Sequence, residues 1–169
     1  MVRLVKLNRV ITIMPLALLL GALVACTHRA DTVPASKNIS AVLNKELREE
    51  IATYSMWLVD KQYRFGGQMP ETGFDCSGMV SFVYMKVAGI KLPHNAAMIA
   101  KEGRDVSRAQ LATGDLVFFR INEKSFAHVG IYIGNDRFIH APNSASKIKI
   151  SSLSSPFYDA NFQTARTFF

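Results

Sequence analysis

Gly73-Phe74-Asp75-Cys76-Ser77-Gly78, followed by the apolar-periodic run Met79, Val80, Phe82, Val83 and Met85, is the stretch on which the reading of this chain turns. The run has helical spacing and stops at Gly89, so it predicts a helix with Cys76 in its first turn. Asp75 is a suitable N-cap, since a carboxylate accepts from the unpaired N–H groups of a helix start. Those N–H groups and the helix dipole favour a thiolate at Cys76. Gly66-Gly67 and Gly73 imply a tight loop that leaves the sulfur reachable. An isolated cysteine is more often a small buried hydrophobe. Against that, this helix start is polar and flanked by glycine.

The second of the two cysteines, Cys26, has a different setting. Arg3, Lys6 and Arg9 precede an apolar stretch from Val10 to Val24, which falls short of the ~20 residues of a membrane span. Leu23-Val24-Ala25-Cys26 resembles a bacterial lipobox, so residues 1–25 read as a lipoprotein signal peptide and Cys26 as the lipidated N-terminus of the mature chain. An ordinary signal peptide is the alternative, and it leaves the position of the cysteine unexplained. With Cys26 acylated, Cys76 has no disulfide partner within the chain. In a two-membrane cell, Thr27 after the cysteine resembles outer-membrane sorting, with the protein facing the periplasm. In other cells the lipid would anchor it to the cell membrane.

Residues 26–169 suffice for one domain with a core. The net charge of +7 falls to +4 without the three signal-peptide cations. The basic residues form no stripe interleaved with aromatics, which argues against nucleic acid. Residues 26–40 read as a flexible lipidated tether and residues 41–169 as the folded domain. Leu43, Leu47, Ile51, Tyr54 and Leu58 mark a first helix, with Lys45, Glu46, Arg48, Glu49 and Glu50 on a solvated face. A short helix is expected over 95–102, closed by Gly103. The period then changes. Residues 116–121, 128–133, 137–140 and 147–151 read as strands, with a hairpin at Gly134-Asn135-Asp136 and a last strand over 162–168. Helices first and strands after give an α+β domain on an antiparallel sheet.

His128 opens one of these strands and His140 closes the next, so an antiparallel pairing can set the two imidazoles side by side. A thiol nucleophile needs a base within ~2.6–3.2 Å and a polar group that fixes the base's tautomer. Cys76, His128 and His140 are the candidates, with His140 either donating to or accepting from its neighbour. A single strand histidine is usually structural. A soft metal site from these three is the other reading, although their spacing lacks the paired-ligand pattern of zinc. His28 falls in the tether, and His94 either lines a groove or caps a loop.

Tyr63-Arg64-Phe65-Gly66-Gly67, Gly73-Phe74-Asp75-Cys76-Ser77-Gly78-Met79-Val80, Leu92-Pro93, Thr113-Gly114-Asp115-Leu116-Val117-Phe118-Phe119, His128-Val129-Gly130-Ile131-Tyr132-Ile133-Gly134 and Phe138-Ile139-His140-Ala141 together resemble the NlpC/P60 cysteine peptidases. The resemblance covers essentially the whole mature domain and looks closest to lipid-anchored murein endopeptidases of Gram-negative bacteria. It implies a compact papain-like fold and hydrolysis of amide bonds in peptidoglycan stem peptides, without metal or organic cofactor. The bond is either the one between D-glutamate and the diamino acid or the D-alanyl cross-link. By the same resemblance Cys76 is the nucleophile, His128 the general base and then acid, and His140 the third polar residue. Tyr63 shares the oxyanion with the Cys76 N–H, while Asp75 and Ser77 bind the stem peptide. Phe65, Met79 and His94 depart from the residues frequent at their positions, and the last bears on specificity. A thiol acyltransferase and a non-catalytic wall-binding lipoprotein are the competing classes, and an adaptor partner is left open.

Overall fold

In the computed structural model, residues 34–169 apart from Asn122 are described. The expected signal peptide, Cys26 and most of the expected tether lie outside them. Helix α1 runs from Pro34 to Trp57, so residues 34–40, expected at the end of a flexible tether, are helical instead. None of these residues needs a non-helical backbone, because proline is tolerated in a first turn.

The apolar stripe on α1 holds only in its second half. Ile51 is fully buried within the helix, as is Leu58 just beyond it, whereas Ile39, Val42 and Leu43 stand exposed. Arg48 corrects the expectation of a uniformly solvated charged face. Its guanidinium donates to Asp115 Oδ1 and Thr167 Oγ1, both at 2.6 Å, and to the Thr113 carbonyl at 3.0 Å. Asp115 is 1% exposed, so α1 delivers the countercharge for a buried carboxylate.

A two-residue hairpin, β1 (Gln68–Met69) with β2 (Gly73–Phe74), occupies what the sequence suggests is plain loop. Helix α2 follows over Cys76–Ala88 and ends at Gly89, whose φ of 66° is the left-handed cap that glycine adopts without penalty. Met79, Val80, Val83 and Tyr84 on α2 are fully buried, each contributing about 1.5–3 kcal/mol of burial free energy. The expected short helix is confined to α3 (Ala96–Ile99), capped by Asn95, which accepts from the Met98 N–H at 3.0 Å.

Six strands then form one antiparallel sheet in the order β3, β8, β4, β5, β6, β7. They are β3 (Arg104–Val106), β4 (Leu116–Ile121), β5 (Lys124–Tyr132), β6 (Arg137–His140), β7 (Lys149–Ser152) and β8 (Phe162–Thr167). Edge strand β3 and helix α4 (Pro156–Asn161) were not expected. The β5–β6 turn is the expected one, with Gly134, Asn135 and Asp136 all at positive φ. Leu116 and Phe118 of β4 pack with α2, while Val117 and Phe119 pack with Phe138, Tyr158 and Phe162 on the other face. Burial on both faces explains the unbroken apolar run of β4. The domain is α+β, and the sheet's second face, under α4, is where both histidines are held.

Candidate active site

The start of α2 is organised by one carboxylate. Asp75 Oδ1 accepts from the Gly78 N–H at 2.7 Å and from the Ser77 hydroxyl at 3.0 Å, and Oδ2 accepts from the Gly66 N–H at 3.0 Å. His94 Nε2 lies 2.9 Å from both oxygens. Asp75 therefore caps the helix and ties the Gly66 loop to it. The loop comes so close that a Cβ on Gly78 would sit 2.0 Å from the Gly67 carbonyl oxygen and 3.0 Å from His94 Nε2. No side chain fits there, which accounts for the glycine two residues after the cysteine.

Cys76 occupies the first helical position, keeps some exposed surface and is unpaired. Its sulfur is reached by three backbone N–H groups, those of Cys76, Ser77 and Val129. The last belongs to β5, one residue after His128, so the thiol is docked at the strand that carries the histidine. Burial nevertheless pushes the thiol up to about 11, with the Asp75 charge adding to the rise and the three N–H groups opposing it. The N–H groups of the helix start favour the thiolate as expected, and burial works against them. Desolvation outweighs the dipole, and the resting sulfur is a neutral thiol near pH 7.

His128 and His140 are both buried and meet edge to face, with His128 Nε2 2.8 Å from His140 Nδ1. The pairing expected from adjacent strands is present: β5 and β6 are neighbours, and Tyr132 lies opposite Phe138. Phe119, Phe138 and Tyr158 surround the pair. Burial lowers His128 to about 4, and burial, His128 and Lys149 lower His140 as well. Both imidazoles are neutral near pH 7. On its far side His140 Nε2 lies 2.9 Å from Ser151 Oγ and 3.4 Å from the Tyr158 hydroxyl.

Tyr63 stands on the chain that pairs with Phe74. Its hydroxyl is raised by burial and then by its nearness to the Cys76 sulfur and the Asp75 carboxylate, which sets it in their neighbourhood. The structure therefore gathers Cys76, Asp75, Ser77 and Tyr63 at one end of α2, and His128 and His140 on the abutting strands. A cleft of about 290 Å³, lined by Ile121, His128, Pro142, Asn143, Phe157 and Tyr158, opens beside the histidines. With the thiol set against β5 at Val129, one residue from a neutral His128, the chemistry available is attack of sulfur on a carbonyl with the imidazole as proton acceptor. Among the described residues, no cluster of three or more His, Cys, Asp or Glu side chains is arranged to hold a metal ion.

Three partners escaped the sequence: His94 on Asp75, and Ser151 and Tyr158 on His140. Ser155-Pro156 was a legible helix start that would have placed Tyr158 on α4. Ser151 carried no signal.

A thiol at a helix start, set against an antiparallel sheet bearing two histidines, places the domain among papain-like α+β folds. The NlpC/P60 family model matches residues 60–167, and the chain belongs to that family. It is 35% identical over 145 residues to the murein DD-endopeptidase MepH of Escherichia coli K12, covering 84% of this chain and 49% of that protein. It is 42% identical over 105 residues to the murein DD-endopeptidase MepS/murein LD-carboxypeptidase of the same organism, covering 62% and 54%. The chain thus spans about half the length of these relatives. The crystal structure of an NlpC/P60 family protein from Bacillus cereus ATCC 10987 superimposes with a TM-score of 0.68 at 28% identity, over 72% of this chain and 40% of that one.

Proposed function

We propose that this protein is a cysteine-type peptidoglycan endopeptidase that cleaves amide bonds of stem peptides. The observation that carries the reading is the buried His128–His140 pair, 2.8 Å apart, with the Cys76 thiol set against β5 one residue after His128. His128 removes the thiol proton as Cys76 Sγ bonds to the scissile carbonyl carbon, and the oxyanion is held by the Cys76 N–H and the Tyr63 hydroxyl. The proton on His128 passes to the departing amine as the C–N bond breaks. A water then gives a proton to His128 and its oxygen to the acyl carbon, freeing the thiol and the new carboxylate. His140 orients His128 throughout, and Asp75 and Ser77 shape the floor on which the peptide lies. No step calls for a cofactor.

Both of these relatives are named murein DD-endopeptidases, which favours the D-alanyl cross-link over the D-glutamyl bond as the bond cut. The lipobox supports attachment through an acylated Cys26, at the periplasmic face of an outer membrane in a two-membrane cell. Digestion of defined cross-linked and uncross-linked muropeptides, read by mass spectrometry, tests the reading. The wild type should convert cross-linked dimers to monomers and Cys76→Ala should not. Equal turnover by both would sink it.

A further inference from the structure

His128 Nε2 and His140 Nδ1, 2.8 Å apart, share one proton, and the pair has two ways to place it. In the first, His128 donates from Nε2 and keeps Nδ1 bare. In the second, His140 donates from Nδ1, and a neutral His128 then carries its only proton at Nδ1. Only the first leaves His128 a lone pair with which to take the thiol proton. Something beyond the two rings must select it, because neither is charged near pH 7.

The selection is made on the far side of His140. In the first arrangement a neutral His140 carries its proton at Nε2, and that N–H, in a buried setting, needs an acceptor. Ser151 Oγ, on neighbouring strand β7, is 2.9 Å away. A hydroxyl can accept or donate, so its own proton decides. Ser151 also opposes the rise that burial causes in the Tyr158 phenol, which is the effect of a hydroxyl turned toward the phenolic oxygen. The Tyr158 oxygen is itself 3.4 Å from His140 Nε2, too long for a strong bond. Ser151 thus turns a lone pair to His140 and its proton to Tyr158.

We propose that Ser151 is a positioning residue that sets the tautomer of the histidine pair, every proton pointing away from Cys76 along His128, His140, Ser151 and Tyr158. The chain ends on Tyr158, which also lines the cleft beside His128. Ser151 touches neither thiol nor substrate and acts through His140. The proposal rests on the thiol–histidine reading of the site.

Long-range ¹H–¹⁵N spectra of histidine-labelled protein test it, because they report which ring nitrogen carries the proton. Wild type should show both His128 and His140 protonated at Nε2. Ser151→Ala should populate Nδ1–H at His140 and lower kcat about tenfold at unchanged KM, the usual effect of losing one orienting hydrogen bond. Ser151→Thr keeps the hydroxyl on a strand that accepts β-branched residues, and should restore both readouts. An Nδ1 proton on His140 in wild type would overturn the proposal whether or not Ser151→Ala folds. So would wild-type tautomers in a folded Ser151→Ala, or a folded Ser151→Thr that fails as alanine does. The expected tautomers in a wild type without activity on murein would instead fail the proposed function and leave this inference standing.

Discussion

His94 Nε2 lies 2.9 Å from each carboxylate oxygen of Asp75, on the residue that caps the helix bearing Cys76. With the Gly66 and Gly78 N–H groups and the Ser77 hydroxyl, the imidazole brings the donors on that carboxylate to four. Two oxygens offer about four lone-pair sites, so Asp75 is saturated by the protein itself. A substrate group that binds Asp75 has to share it with, or displace, His94.

We therefore expect the two residues to separate in mutation. Asp75→Ala removes the cap and the anchor of the Gly66 loop together, which should cost about 1–2 kcal/mol of stability and most of the activity. His94→Ala leaves the cap in place, so stability should change by less than about 1 kcal/mol while KM shifts more than kcat. Denaturant titration alongside steady-state kinetics on muropeptides checks both. A His94→Ala loss confined to kcat would place His94 in the chemistry instead of the groove.

The titration of the site sets a pH dependence. Activity requires neutral His128 and a protonated thiol, so kcat/KM should rise through His128's value of about 4 and fall only toward the Cys76 value of about 11. A thiolate–imidazolium pair would instead give a narrower bell near neutrality. Stability follows with a definite sign. His128 is lowered on folding from its ordinary 6.5, so the unfolded chain binds more protons between about pH 6.5 and 4, and stability falls as pH drops through that window. A shift of this size corresponds to about 3 kcal/mol, and His140 acts in the same direction. Thermal melts of wild type and His128→Asn from pH 7 to 4 measure it, the variant losing less on acidification.

Local signals were legible wherever one residue type has one conformational use. Asp75 as cap, Gly89 as helix stop and the Gly134–Asp136 turn all appear where the sequence puts them. His128 and His140 were legible because adjacent antiparallel strands have to bring the end of one near the start of the other. Tertiary partners were not. Nothing near Arg48 in sequence announces a carboxylate 67 positions away, and a serine in a short strand says nothing about a histidine on the next one. The burial of the thiol was hidden for a related reason. The helix dipole is visible in the sequence, whereas the depth at which β5 buries the sulfur is set only by the folded sheet.

Arg48 and Asp115 give a prediction about stability alone. The carboxylate is fully buried and its second oxygen accepts from the Ala112 N–H at 2.8 Å. The guanidinium also holds Thr113 and Thr167, and stacks 5.0 Å over the Phe169 ring. Arg48→Ala strands a buried charge and should cost about 3–5 kcal/mol, read as a lower urea midpoint. Glu49→Ala, one position along on an exposed face, should stay within about 0.5 kcal/mol. Equal effects of the two substitutions would show that the ion pair does not join α1 to the sheet.

The proposed anchor gives the last prediction, and the helix changes its geometry. Helix α1 begins at Pro34, so only Thr27–Val33 separate Cys26 from a rigid element. Seven residues reach about 25 Å at full extension, and the part of α1 before Arg48, which docks on the sheet, adds about 20 Å as a rod. With the proposed lipid on Cys26, the exposed start of α1 would serve as an arm between the anchor and the domain. Cys26→Ser removes the thiol that would carry the lipid and leaves Cys76, His128 and His140 untouched. Exported and processed Cys26→Ser protein should leave the membrane fraction, keep near-normal activity on soluble muropeptides and lose access to intact wall. Shortening α1 by two turns before Leu47 in the wild-type chain should preserve soluble activity and lower wall digestion, since it withdraws the domain by about 11 Å. A Cys26→Ser protein that stays tightly membrane-bound after signal removal would defeat the anchor. Unchanged wall digestion by the shortened protein would defeat the arm alone.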